Sequence, residues 1–287
     1  MRFTRFACID WSGAAGARQK GIAVAACEAG SSAPELVRPG HLWSRADLLD
    51  WLAALEGDWL VGLDLSPALP FVDYGAYFPG WSRSPPDAKA LWKLVDGIST
   101  DDPHLSVSSF VHHPDAARYF RRRGLPLGDR FGPERRGRFR VVEHHQRQQS
   151  LSPYSCFNLV GAAQVGKSSL TGMRVLHRLT GAVPIWPFDP DPGRGPLIVE
   201  IYTSIAARGA GIRAGLSKIR DAASLDTALA ALGSKPHRPL SRYDDHSTDA
   251  IVTAAWLRHA ADDHTLWHPP ALTTDLAQTE GWTFGVR

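Results

Sequence analysis

The sequence has few cysteines and no long apolar run, and each scarcity excludes a class of protein. Cys8, Cys27 and Cys156 are odd in number and form no C-x-x-C pair, so neither a disulfide framework nor a structural zinc site is expected. No stretch approaches membrane-spanning length, and no apolar leader follows the first residues. We therefore predict a cytoplasmic protein that does not associate with membranes.

Charge is nearly balanced overall but uneven along the chain. The formal net charge is only +3, yet ten arginines and no lysine lie between Arg118 and Arg147, against three acids. Arginine is favoured where a planar fork grips phosphate, while an exposed arginine-rich loop is the equally weighted alternative. The predicted phosphate-binding residues are Arg121, Arg122, Arg123, Arg135, Arg136, Arg138 and Arg140.

The first part of the chain is typical of a β-β-β-α-β unit. Apolar runs at 3–10 and 21–27 predict a hairpin, and a third run at 36–43 contains Pro39 and is expected at a sheet edge. Ser44 and Asp47 have the spacing of a helix cap, and leucines follow at helical intervals. The run at 59–64 predicts the fourth strand.

The rest of the chain predicts one large insertion and a return to the sheet. Residues 66–195 begin with many prolines, glycines and aromatics, which is unlike a regular element. Strand character returns at 197–202, and a strong helix is expected at about 245–260. We predict a single domain over residues 1–262, with 66–195 as the insertion and 263–287 as a tail.

Acidic residues end several of the strand-like runs. Asp10 and Asp64 end the first and fourth runs, and Glu200 ends a later one. Asp245 and Asp249 are spaced i, i+4 and share one face of the last helix. Because a buried carboxylate is costly without a compensating cation, their co-occurrence predicts a metal site. Each acid taken alone is more often a turn or capping residue.

The donor set indicates which metal and which chemistry to expect. Carboxylate oxygens without histidine or thiolate partners favour Mg²⁺ or Mn²⁺ over zinc. Two such ions can activate a water and stabilise the leaving oxygen in phosphodiester cleavage, with no nucleophilic side chain. The sequence therefore favours a hydrolase acting on phosphodiesters.

The order of these residues resembles the ribonuclease H-like superfamily. The matching segments are Ile9-Asp10, Gly62-Leu-Asp64-Leu-Ser-Pro67, Val199-Glu200-Ile-Tyr and Asp245-x-x-x-Asp249-Ala-Ile. More narrowly, the chain resembles the uncharacterised predicted-nuclease branch called domain of unknown function four-two-nine. The segment at 157–179 and Ile185-Trp-Pro-Phe are similar to recurring blocks of that branch.

This resemblance implies an α/β fold and a nuclease. The expected architecture is a ribonuclease H-like mixed five-stranded sheet flanked by helices, with a large insertion between the fourth and fifth core strands. The implied cofactor is Mg or Mn, and the implied partner is nucleic acid. The implied catalytic and metal-binding residues are Asp10, Asp64, Glu200 and Asp249, with Asp245 as a further ligand or supporting residue. A catalytically inactive binding protein of the same fold is one alternative.

A second alternative comes from a different motif. Residues Gly161 to Ser168 match the P-loop pattern G-x-x-x-x-G-K-[ST] in full. In a P-loop ATPase or GTPase, backbone N–H groups would cradle phosphates and Lys167 would contact the terminal ones. The preceding strand-like run is short, however, and the sequence after Leu179 soon becomes proline-rich. Substitution of Lys167 would separate this alternative from the nuclease.

Overall fold

The structure is a computed structural model that describes residues 2–132, 136–161, 165–212 and 218–287. Within these ranges, no helix is both long enough and apolar enough to cross a membrane.

A mixed six-stranded sheet forms the centre of the molecule. Its strands are β1 (Arg5–Asp10), β2 (Ala23–Glu28), β3 (Glu35–Leu36), β4 (Trp59–Asp64), β5 (Ile185–Trp186) and β6 (Leu197–Glu200). The spatial order is β3-β2-β1-β4-β6-β5. The first three strands pair in antiparallel fashion, whereas β4, β6 and β5 run parallel to β1. The fold is therefore α/β, and its sheet has one strand more than expected.

Two strands differ from the sequence-based expectation. The additional strand is β5, a two-residue edge strand that lies inside the predicted insertion. The third predicted strand, 36–43, is shortened to Glu35–Leu36. Arg38 has a left-handed backbone conformation and Pro39 lacks an N–H group, so the chain leaves the sheet there.

Helices cover both faces of the sheet. They are α1 (Arg45–Ala53), α2 (Ala88–Ile98), α3 (Ser108–His112), α4 (Val141–Gln148), α5 (Val165–Leu179), α6 (Thr203–Gly209), α7 (Ala222–Ala231), α8 (Asp245–Ala260), α9 (His264–Trp267) and α10 (Thr274–Thr279). Two 3₁₀ turns lie at Pro103–Leu105 and Ala116–Tyr119. Helix α1 begins as predicted, with a reciprocal capping box between Ser44 and Asp47.

The pleat of the strands divides the core into two layers. Because successive side chains of a strand point to opposite faces, Ile9 and Leu63 face a cluster that includes α1, α2 and α5. Cys8 and Leu60 face the other cluster, which includes α7 and α8. This alternation decides which strand-end side chains can meet.

The segment at 263–287, expected as a tail, is packed onto the domain instead. It forms α9 and α10, and Trp282, Phe284 and Val286 that follow them are fully buried. Thr283 makes a parallel bridge to Glu200 at the end of β6. These apolar residues alternate like one face of a strand, which is why the segment can extend the sheet region.

Candidate functional site

Two carboxylates lie side by side where β1 and β4 end. Asp10 and Asp64 are Cα partners in the parallel register, so their side chains leave the same face of the sheet. This is the face that α8 covers, since Cys8 packs with α8 residues. Because β1 and β4 are neighbours in the sheet, their two end carboxylates lie at one rim.

Asp249 reaches the same place from the first half of α8. Burial, with a smaller contribution from the nearby Asp10 carboxylate, raises the pKa of Asp249 to about 7. Burial raises the pKa of Asp64 well above its usual range, with Asp10 and Asp249 adding to the effect. Like charges raise each other's pKa only when they are close. The three acids, here called the carboxylate triad, thus form one electrostatic cluster.

His246 is the main positive partner of the carboxylate triad. Its Nδ1 lies 2.8 Å from Asp10 Oδ2, and this hydrogen bond raises the pKa of His246 above its usual range. Burial raises the pKa of Asp10, while the bond from His246 opposes that rise. The sequence reasoning missed His246. The available signal was its place one helical turn before Asp249.

Asp64 also has a neutral hydrogen-bond donor that the sequence did not reveal. Thr203, the first residue of α6, donates from Oγ1 to Asp64 Oδ2 at 3.3 Å. This contact joins the end of β4 to the chain that follows β6. The backbone N–H of Thr203 interacts with the Asp64 carboxylate as well, and both contacts oppose the rise in the pKa of Asp64.

The structure does not bring Glu200 to the carboxylate triad, which corrects the predicted four-carboxylate rim. Glu200 is the Cα partner of Leu63, not of Asp64, so its side chain leaves the opposite face of the sheet. Arg140 donates to both of its oxygens, at 2.9 and 2.5 Å, and Thr283 Oγ1 lies 2.7 Å from Oε1. Glu200 is thus a buried ion-pair partner.

Asp245 likewise does not join the triad. Its carboxylate forms ion pairs with Lys218 and Arg220, which lower its pKa against the effect of burial. Although Asp245 and Asp249 share one side of α8, Asp245 lies in the first turn and faces these exposed cations. Asp245 nevertheless adds to the raised pKa of Asp249, so it lies beside the triad, and its role as a further ligand or supporting residue stays a prediction.

The arginine stretch divides into buried structural residues and exposed ones. Arg138 is buried and pairs with Asp73, and Arg140 is buried between Glu143 and Glu200. These two are not available to phosphates, which corrects the prediction for both. Arg121, Arg123 and Arg136 are exposed, Arg122 is half-buried, and Arg135 lies outside the described residues.

The P-loop-like segment does not have the surroundings of a P-loop. Residues 162–164 lie outside the described ranges, and α5 begins at Val165. The described residues just before Gly161 contribute only a single bridge, Arg121 to Asn158, and no strand of the sheet. A P-loop follows a strand directly. Nothing in the described part of this segment favours nucleotide binding.

A cavity of about 350 Å³ opens beside the triad. Asp64 and His246 line one wall, and Arg140, Glu143 and Glu200 line another. Ser12 and Gly13, which follow β1, and Ser168 of α5 complete it. A Cβ on Gly13 would lie 2.4 Å from backbone atoms of Lys167 and Ser168, so only glycine permits this close approach.

The triad fits a hard divalent cation in charge and in donor chemistry. Burial raises the pKa of all three carboxylates, and a cation placed between them would stabilise them as anions. Their oxygens are the donors that Mg²⁺ and Mn²⁺ prefer. In the described ranges, no group of three or more His, Cys, Asp or Glu side chains is placed so that it could hold a metal ion as it stands.

Comparison with known proteins adds no relative: no protein-family model, no curated protein and no solved structure matches this chain.

Proposed function

We propose that the protein is a divalent-metal-dependent nuclease with a ribonuclease H-like fold. One observation carries the proposal: Asp10, Asp64 and Asp249 converge from two parallel strand ends and one helix, and burial together with the nearby Asp10 carboxylate raises the pKa of Asp64 and Asp249. Groups with strongly shifted pKa values concentrate at functional sites. The β-β-β-α-β opening, with an acid ending β1 and β4, agrees with the resemblance seen in the sequence.

The residues of the chain have distinct parts in the proposed reaction. Asp10, Asp64 and Asp249 would hold Mg²⁺ or Mn²⁺, and the ion would supply activation of a water and stabilisation of the leaving oxygen of a phosphodiester. His246 donates to Asp10 and Thr203 donates to Asp64, and both contacts orient the ligand oxygens. Arg140 and Glu200 hold the opposite wall of the cavity.

A nuclease assay tests the proposal. Single-stranded, duplex and hybrid oligonucleotides are incubated with Mg²⁺ or Mn²⁺, and a chelator is added to a parallel series. We expect metal-dependent cleavage that falls about a hundredfold or more in Asp10→Asn, Asp64→Asn and Asp249→Asn, the scale on which lost charge stabilisation lowers kcat. Cleavage that survives chelation, or an Asp64→Asn enzyme as active as wild type, would overturn the proposal.

Two further variants define the boundary of the site. Asp101→Asn removes an exposed carboxylate outside the triad and is the matched control, with wild-type activity expected. Glu200→Gln removes the partner of Arg140 but no triad ligand. We expect this variant to lose folding stability and yet to keep the wild-type dependence of rate on Mn²⁺ concentration. A shifted metal dependence in Glu200→Gln would return Glu200 to the ligand set.

A further inference from the structure

A second cavity, of about 570 Å³, lies next to the candidate site. One wall is the chain that follows β3, from Val37 to Trp43, and the other is the segment 237–244 that leads into α8. Ile22, Val24 and Leu36 give it an apolar floor. We call this cavity the basic groove because four cationic side chains line it, namely Lys20, Arg38, Arg238 and Arg242.

The cations of the basic groove are not neutralised by the protein. All four are exposed, and in the part of the chain that the structure describes none of them forms an ion pair. The groove also contains two acids. Asp244 accepts from the backbone of Ser247 as the cap of α8, and Glu35 lies 3.5 Å from His237 Nε2 without forming a hydrogen bond to it. Four cations against two acids leave the groove with a net positive charge.

A buried polar atom adds to this picture. His237 lies in the groove wall with only 7% of its surface exposed, and its Nε2 has no hydrogen-bond partner among the described residues. A buried polar atom without a partner is uncommon in folded proteins. An anion or sugar hydroxyl bound in the groove would supply one.

The basic groove is continuous with the proposed catalytic site through His246. This residue lines both cavities, and its ring bonds Asp10. An extended chain of phosphates lying in the groove would thus reach the triad directly. Arg138 and Arg140 are not available to such a chain, because their guanidinium groups are buried in ion pairs.

We propose that the basic groove binds the phosphodiester backbone of a single polynucleotide strand and delivers the adjoining phosphodiester to the carboxylate triad. This inference rests on the proposed nuclease function, which gives the groove its substrate class. Guanidinium forks match phosphate oxygens in geometry and charge. A row of unpaired cations beside a phosphodiester-cleaving site suits a polyanion better than a single small anion.

A binding experiment with two charge-matched variants tests the proposal. The groove variant is Arg38→Gln/Arg238→Gln/Arg242→Gln, and the control is Arg83→Gln/Lys93→Gln/Arg194→Gln, which removes three exposed cations outside the groove. Both are made in an Asp64→Asn background so that bound substrate is not cleaved. The probe is a fluorescein-labelled single-stranded oligodeoxynucleotide, and its anisotropy is measured across a KCl series.

The expected result separates the groove from general charge effects. In the groove variant, Kd should rise on the order of tenfold, and the slope of log affinity against log salt should fall in magnitude by about 2, as three lost contacts to a single strand predict. The control should stay within about twofold of its parent, because its cations make no such contacts. Equal binding by groove variant and parent, or equal weakening in both variants, would overturn the proposal.

Two more measurements keep the outcomes distinct. If the groove variant misfolds by circular dichroism, Arg242→Glu alone should still weaken binding, and unchanged binding would count against the groove. Polyglutamate that competes as well as unlabelled oligonucleotide would show that the groove takes acidic peptides instead. If only the nuclease function is wrong, the oligonucleotide still binds through the groove, but protein with Asp64 intact does not cleave it. If only the groove proposal is wrong, the groove substitutions made with Asp64 intact leave metal-dependent cleavage and its KM at the wild-type values.

Discussion

At the scale of single residues, burial makes the ionised carboxylates of the triad costly, and a bound cation would stabilise them. Asp249 is the clearest case, since burial and Asp10 raise its pKa from 3.8 to about 7. A raised pKa means that the folded protein favours the protonated carboxyl. In the absence of metal, the free energy of unfolding that Asp249 contributes is complete below about pH 4 and is lost as the pH rises through about 7.

Asp249→Asn should therefore stabilise the metal-free protein, because asparagine stays neutral at every pH. With a chelator present, we expect the variant to exceed wild type by on the order of 2 kcal/mol near pH 8 and to match it near pH 4. Urea unfolding followed by circular dichroism at several pH values measures the difference. A difference that does not change with pH would contradict the assigned environment of Asp249.

At the scale of elements, the turn after β1 and the start of α5 must pack closely to form one wall of the cavity. A Cβ on Gly13 would meet backbone atoms of α5 at 2.4 Å, and backbone cannot move aside as a flexible side chain can. Gly97 offers the opposite situation. It lies inside α2, where a Cβ would meet nothing within 4 Å.

The pair Gly13→Ala and Gly97→Ala should consequently change stability in opposite directions. Gly13→Ala is expected to lower the free energy of unfolding by about 1–3 kcal/mol through overpacking. Gly97→Ala should raise it by about 0.5–1 kcal/mol, since alanine loses less conformational entropy in a helix. Thermal and urea unfolding of both proteins provide the test. A stabilised Gly13→Ala protein would refute the close approach of the two elements.

The elements that can be predicted from the sequence are those whose position depends on a local residue pattern. Apolar runs with terminal acids located β1, β4 and β6, and the spacing of Ser44 and Asp47 located the start of α1. The place of Glu200 depended on the pairing register of β6 with β4, and a one-residue difference in register selects the other face. No local pattern carries that information. The same holds for Arg138 and Arg140, whose burial depends on distant partners.

At the scale of the whole molecule, the segment after α10 forms hydrogen bonds with two distant parts of the chain. The Glu280 carboxylate accepts from the backbone of Phe71, Val72 and Val141, and its carbonyl accepts from Arg140. Trp282 is fully buried, and its indole N–H donates to the carbonyl of Val286. No sequence pattern predicts these contacts, because they link residues more than a hundred positions apart.

Trp282→Ala should accordingly destabilise the whole domain. Removal of a fully buried tryptophan leaves a large void, and we expect a loss of about 3–5 kcal/mol in the free energy of unfolding. Leu125→Ala is the control, because Leu125 is 45% exposed and its truncation should change stability by less than about 0.5 kcal/mol. Urea unfolding followed by circular dichroism compares the two. Equal stability in both variants would show that the segment is not part of the cooperative core.

The insertion between β4 and β6 also divides the triad along the chain. Asp10 and Asp64 precede residues 65–196, Asp249 follows them, and 123–127 form an exposed stretch in between. A polypeptide cut in that stretch would yield two fragments, neither of which holds all three carboxylates. The proposed nuclease activity is expected only when the fragments reassociate across β4 and β6. The protein is therefore suited to fragment complementation. Each fragment would be inactive until two interacting proteins, one fused to each fragment, bring the fragments together.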